Sequence, residues 1–300
     1  MINLVTPDQF IVGLKSYRQI YRAIIEHHFK NIVFCYYEPS TIKPPRSLIH
    51  LINQLISPIR KVSIIALNTL EDKQKIDAQI DLIISYGSSK LHSILKPMID
   101  SNCALYCIEQ LPTRMSSYDA IGINNNVIPN LIFNECSPKR EFNMYDTIYF
   151  MADIGLALQS CLNCQEDNNF IFDCAISGMI HFLTAYQQLQ TNINNRTKKQ
   201  LYITLAHADI LMKNAYNTIL VNYHNKDFNN VHHWLVYYCH HVLSIAKELF
   251  GTKRKILTQT LNEYKIDKQQ ILDSLTKIND ELEKNEKYKE LLAEVNKEVQ

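Results

Sequence analysis

The residues best suited to chemistry stand at Gly87-Ser88-Ser89-Lys90, directly after the apolar run Leu82-Ile83-Ile84. A short buried strand followed by small residues and a helical pattern leaves free backbone N–H groups at the helix start. Those groups, together with the helix dipole, favour a phosphate. The chemistry implied is retention of a phosphorylated ligand. Gly87 stands alone, whereas a backbone brought close to a pyrophosphate ordinarily uses several glycines. A plain βα turn capped by a serine reads equally well from this segment.

The elements that would position this turn are legible as an alternation. Asn31–Tyr36, Lys61–Ala66, Asp81–Ser85, Cys103–Cys107 and Asn126–Phe133 read as strands, with helices over Ser16–His28, Ser47–Ile56 and Lys90–Asp100. Alternating strands and helices imply βαβ units and a mostly parallel sheet covered on both faces. Ligands of such sheets sit outside the carboxyl ends of the strands, where Tyr36, Tyr37, Gly87 and Asn130 are expected to gather. Glu38 beside the tyrosine pair could accept hydrogen bonds from a ribose; a tyrosine pair closing a strand also serves packing.

After about Asp153 the pattern becomes helical, over Asp173–Leu189, Lys198–Ala215, Asn230–Phe250, Ile256–Tyr264 and Lys268 to the C-terminus. The expected fold class is therefore α/β plus all-α: a Rossmann-like N-terminal domain over residues 1–155 and a helical domain over 156–300. The polar stretch Ser160–Asn169, with Cys161 and Cys164, suits an exposed connection. Cys161-Leu-Asn-Cys164 has the spacing of half a zinc site, but no second pair answers it.

Composition removes whole classes of function. The 300 residues are 46% hydrophobic and 20% charged with a net charge of +1, and no basic stripe is interleaved with aromatics, so a nucleic-acid partner is not expected. No apolar run is long enough to span a membrane, and the opening residues lack a signal-peptide pattern, which points to a cytoplasmic protein. The eight cysteines read as free buried thiols. With only six glycines in the chain, motifs that depend on glycine are expected to be eroded.

Four landmarks in order carry a resemblance: Pro7-Asp-Gln-Phe-Ile-Val-Gly13, Gly87-Ser-Ser-Lys90, Ile128-Pro129-Asn130 and Ser177-Gly178-Met-Ile-His-Phe-Leu-Thr-Ala-Tyr186. Together they resemble the superfamily of iron-containing alcohol dehydrogenases, glycerol and glycerol-1-phosphate dehydrogenases and dehydroquinate synthases, with the glycerol dehydrogenase branch nearest. The resemblance implies NAD or NADP at the turn of Gly87, Ser88 and Ser89, with Tyr37, Glu38 and Asn130 near it. It also implies a zinc or iron ion, held by one Asp and two His in a cleft between the domains, that polarises the alcohol oxygen of a small polyol or polyol phosphate.

The departures are as informative. His181 stands where the family carries its ligand Asp, and Phe250-Gly251 where it carries a His-Gly pair. Ser93 replaces the acidic residue after the glycine turn, and Glu135 stands near the place of a substrate-binding Asp; a solvated loop carboxylate beside Lys139 and Arg140 is the plainer account of it. The helix around Val231–Val242 supplies His232, His233, His240, His241 and Cys239. His233 and His240 share a helix face, yet at seven residues' spacing they stand about 10 Å apart, too far to share one ion. One of them joined by His181, with His207 or His224, could complete a site; imidazoles packed into an interface account for them equally.

Two functions are therefore expected side by side. One is an NAD(P)-dependent, metal-assisted polyol oxidoreductase; the other is a divergent member that has lost its metal and binds a ligand or a protein partner. A lyase like dehydroquinate synthase is a lesser third. A homo-oligomer is left open.

Overall fold

The structure, a computed structural model, describes residues 7–13, 15–37, 43–67, 76, 79–87, 91–92, 95, 103–109, 130–134, 141–164, 168–191, 193–220 and 231–298. The chain divides into two compact units, Val5–Ser137 and Pro138–Gln300.

The first unit is built on six strands: β1 (Gln9–Val12), β2 (Asn31–Tyr37), β3 (Lys61–Leu67), β4 (Leu82–Gly87), β5 (Ala104–Glu109) and β6 (Leu131–Asn134). They form one sheet in the order β1-β6-β5-β4-β2-β3. Every pairing is parallel. Continuous apolar runs such as Leu82–Ile84 become central strands because a parallel sheet is buried on both faces. A 3-10 turn (Ser16–Gln19), α1 (Ile20–Glu26) and α2 (Arg46–Asn53) bring Tyr17, Ile20, Ile24, Leu48 and Ile52 against Phe34, Ile84 and Tyr106 of the sheet. Tyr17 Oη and Ser47 Oγ, 2.7 Å apart, tie the turn to α2.

The strand order changes direction between β2 and β4. From β2 the chain crosses through α2 outward to β3, whereas from β4 it crosses the other way, to β5. The connections leave β2 and β4 in opposite directions along the sheet.

The second unit is helical: α3 (Met144–Asn163), α4 (Asn169–Leu189), α5 (Asn195–Leu220), α6 (Val231–Gly251), α7 (Lys255–Glu263), α8 (Lys268–Glu283) and α9 (Glu286–Glu298). Helix α3 was not expected from periodicity, and its reason is burial on nearly every side, from Ile148 to Cys161, which erases the amphipathic signal. It lies wholly in this unit, although residue 155 was the expected boundary. Its start is a capping box: Asn143 Oδ1 accepts from Tyr145 N and Asp146 N, and the Asp146 carboxylate accepts from Asn143 N.

Its end is held by Arg254, whose guanidinium donates to the carbonyls of Cys161 at 2.8 Å, Leu162 at 3.1 Å and Cys164 at 3.3 Å. The expected exposed connection is thus helix as far as Asn163. Cys161 is fully buried, and burial pushes its thiol pKa up. Glycines bring the helices close: a Cβ on Gly155 would lie 2.8 Å from the Tyr238 carbonyl oxygen, and one on Gly178 would lie 2.6 Å from Met212 Cγ. Among the described residues, no helix is long and apolar enough to cross a membrane.

Candidate functional site

At the carboxyl edge of the sheet, register places Gly87 beside Glu109 and Glu109 beside Asn134, and Tyr37 is the last residue of β2. Successive residues of a strand face opposite sides. Ile84, Tyr106, Ile108 and Phe133 therefore enter the apolar core under α1 and α2, while Ser85, Gly87, Cys107, Glu109 and Asn134 face the other way. Gly87 has no left-handed backbone to explain it, since Gly13 is the glycine with positive φ among the described residues. A Cβ there would lie 3.2 Å from Leu91 Cδ2, the tip of a side chain.

Beneath Gly87 lies a polar set that the sequence reading did not single out. His92, fully buried, places Nδ1 2.7 Å from Ser85 Oγ. Its Nε2 lies 3.5 Å from Glu109 Oε2, and both side chains are wholly inaccessible. Burial alone pulls the imidazole pKa down, but Cys107 and Glu109 more than offset it and raise the value to about 10. With its pKa raised, the ring is biased toward the imidazolium form: Nδ1 reaches the Ser85 hydroxyl, whereas Nε2 makes no hydrogen bond and stands in ion-pair range of the Glu109 carboxylate.

Of the residues expected near a cofactor, Tyr37 and Gly87 stand at the carboxyl edge. Asn130 does not. It precedes β6 at the opposite end of the sheet, where its side chain accepts from Leu105 N at 3.1 Å and donates to Asp8 Oδ2 at 3.2 Å. The physical reason is that β6 begins after Asn130, so its carboxyl-end residue is the fully buried Asn134. Glu38, Ser88, Ser89, Ser93 and Glu135 lie outside the described residues.

No protein-family model and no curated protein sequence matches the chain. Solved structures do. A 1,3-propanediol oxidoreductase matches with a TM-score of 0.61 and 12% identity, over 93% of this chain and 86% of the other. An alcohol dehydrogenase from Oenococcus oeni gives 0.60 and 11% identity, over 93% and 87%. An iron-containing alcohol dehydrogenase from Corynebacterium glutamicum gives 0.53 and 12%, over 92% and 83%. The chain has the iron-containing alcohol dehydrogenase fold.

The metal expected from the sequence resemblance finds no fitting donor set among the described residues. His181 on α4 sets Nδ1 2.7 Å from the Ser177 carbonyl oxygen, an arrangement that orients the ring and leaves Nε2 outward. The ring it meets belongs to His207 on α5, with centroids 5.4 Å apart. Burial and His181 both lower the His207 pKa, so two charged rings are avoided. On α6, His240 packs against His241 with centroids 5.1 Å apart, and His240 Nδ1 is buried without a hydrogen-bond partner. His233 lies on the same helix; His224 is outside the described residues. Among the described residues, no group of three or more His, Cys, Asp or Glu converges to hold an ion. Phe250 is buried, and its carbonyl accepts from Lys268 Nζ at 2.9 Å.

Proposed function

We propose that the chain is an NAD(P)-linked oxidoreductase of small alcohols or polyols, with the dinucleotide seated at the carboxyl ends of β2 and β4. The observation that carries this reading is the divergence of the two connections at those strand ends, with Gly87 closing β4. A backbone lacking a Cβ at that point lets a pyrophosphate approach closely. When bound, the nicotinamide supplies the hydride acceptor. The chain's own part is to hold the phosphates at the Gly87 turn and to fix the orientation of the ring relative to the substrate.

The test is titration calorimetry with NADH and NADPH on the native protein and on Gly87→Val. The branched side chain meets Leu91 and the phosphate path, so affinity is expected to fall by about tenfold or more with the circular dichroism spectrum unchanged. Equal affinities would place the cofactor elsewhere.

A second reading, a member that binds the dinucleotide without turning over alcohols, is favoured by the incomplete donor set and by Phe250. Reduction of NAD(P) with glycerol, glycerol 1-phosphate and propanediol, with zinc or iron(II) added, separates the two. Turnover supports the enzyme; binding without turnover supports the second reading.

A further inference from the structure

The pair Cys161-Leu-Asn-Cys164 closes α3 and has no part in the dinucleotide reading. Cys161 is fully buried in the last turn of the helix. Cys164 is half-buried at the point where the chain leaves the helix, with its N–H still bonded to the Ser160 carbonyl at 3.1 Å. A third thiol, Cys174 of α4, is buried close enough to Cys161 to act on its charge. All three are in the reduced form.

Arg254 sets this pair apart from the other cysteines. Its guanidinium grips the carbonyls of Cys161 at 2.8 Å, Leu162 at 3.1 Å and Cys164 at 3.3 Å, and lies 5.6 Å from the centre of the Phe172 ring. The backbone between the two cysteines is thus held from one side, with a permanent positive charge beside it that favours a thiolate. Residues three apart on a helix have Cβ atoms about 5–6 Å apart, whereas a disulfide needs about 3.8 Å. The difference of about 2 Å has to come from the last turn. The bonds that must yield there are those from Cys164 N–H to Ser160 and from Arg254 to the three carbonyls.

We propose that Cys161 and Cys164 are a modification site: hydrogen peroxide converts the pair into a disulfide that closes the last turn of α3 and loosens its hold on Arg254. This reading is independent of the dinucleotide site. Cys164 is the member of the pair that an oxidant reaches. Its thiolate attacks one peroxide oxygen, the O–O bond breaks, and the sulfur becomes a sulfenic acid while the other oxygen leaves as hydroxide and takes up a proton to form water. The Cys161 sulfur then displaces the sulfenic oxygen, which departs as a second water with the Cys161 proton. Two thiols and one peroxide give one disulfide and two waters. Burial, and after it Cys164, push the Cys161 thiol pKa up while Arg254 acts the other way, so the second step is the slow one. Cys174, raised to about 11 by burial and Asp173, keeps its proton and stands outside the exchange.

The experiment treats the full chain with hydrogen peroxide, alkylates the remaining thiols and maps the peptides before and after dithiothreitol, for the native protein, Cys161→Ser, Cys164→Ser and Cys174→Ser. The native chain and Cys174→Ser are expected to lose two hydrogens within the peptide that carries residues 161 and 164, and to regain them on reduction. In Cys161→Ser the sulfenic acid has no thiol to resolve it, so dimedone should label Cys164 about tenfold more than in the native chain. Cys164→Ser should give neither a disulfide nor a label on Cys161. Amide exchange at the end of α3 should speed up about tenfold in the oxidised native protein and recover on reduction.

A link between Cys161 and Cys174 would overturn the proposal. So would passage of Cys164 to a sulfinic acid with Cys161 still open to alkylation, or oxidation that begins only when circular dichroism shows the chain unfolded. A disulfide formed with unchanged exchange would overturn the connection to Arg254. If Cys161→Ser does not fold, the native map and Cys164→Ser decide the pairing.

Discussion

Raising the pH from 7 to 8 should weaken the fold by a predictable amount, and His92 is the cause. Its folded pKa is raised from 6.5 to about 10 by Cys107 and Glu109 acting against burial. A raised pKa means that the folded state holds a proton the unfolded chain has released. The stabilisation is fully present below about pH 6.5 and is lost as pH rises toward about 10. For one proton the slope is on the order of 1 kcal/mol between pH 7 and 8 once partial protonation of the unfolded chain near pH 7 is allowed for.

The window is clean on both sides. His207 and His241 have lowered pKa values, the first through burial and His181, the second through burial and His240, so their effect has the opposite sign and is mostly complete by pH 7, leaving only a small residue above it. Cys35 and Cys239, pushed up to about 12 by burial, begin to act only as pH approaches their unfolded value of 9.0. Urea unfolding followed by circular dichroism at pH 7.0, 7.5 and 8.0 reads the slope. His92→Gln should flatten it, and should destabilise the fold at pH 7 by removing the buried ion-pair partner of Glu109. A flat native profile, or the same slope in the variant, would refute the assignment of a buried imidazolium.

Two further predictions concern the helical unit. Alanine ordinarily stabilises a helix relative to glycine, but Gly155→Ala should destabilise by about 1–3 kcal/mol, since its Cβ would meet the Tyr238 backbone oxygen at 2.8 Å; a raised Tm on thermal melting would contradict the close approach of α3 and α6. Arg254→Ala should cost about 2 kcal/mol by uncapping the end of α3, and Arg254→Lys should not restore it, because an ammonium cannot span the three carbonyls that the planar fork reaches. Full rescue by lysine in a urea titration would show that charge alone matters there.

The central strands were legible because a buried parallel strand needs a continuous apolar run, as in Val33-Phe34-Cys35 and Leu82-Ile83-Ile84. Helices α4 to α8 were legible from their periodicity, with bounds shifted by a few residues. The final stretch, expected as one helix, breaks at Lys284–Asn285, where Asn285 Oδ1 accepts from Lys287 N at 3.1 Å and starts α9. Helix α3 was missed for the opposite reason: a segment buried all round presents no polar face to mark its period. The β6 register went astray at Ile128-Pro129-Asn130, where a family-like tripeptide suggested a strand end and Asn130 instead directly precedes the strand.

The site itself divides along the same physical line. Gly87 stood out because the strand it closes is a local, continuous apolar run. His92 and Glu109 lie seventeen residues apart in the chain, and they meet only because β4 and β5 are paired in parallel. The one trace they leave in the sequence is a histidine next to Leu91 and a glutamate closing an apolar run, each a polar residue at a position a buried pattern would fill with carbon. The histidines of the helical unit show the same limit from the other side. Spacing along α6 correctly forbids His233 and His240 from sharing an ion, but it is silent on whether a ring from α4 faces one from α6. The contact that formed, His181 against His207, joins two separate helices. A single polar residue interrupting a core strand or its following helix is therefore the better pointer to this chain's chemistry than the family's glycine and histidine landmarks, which it has largely replaced.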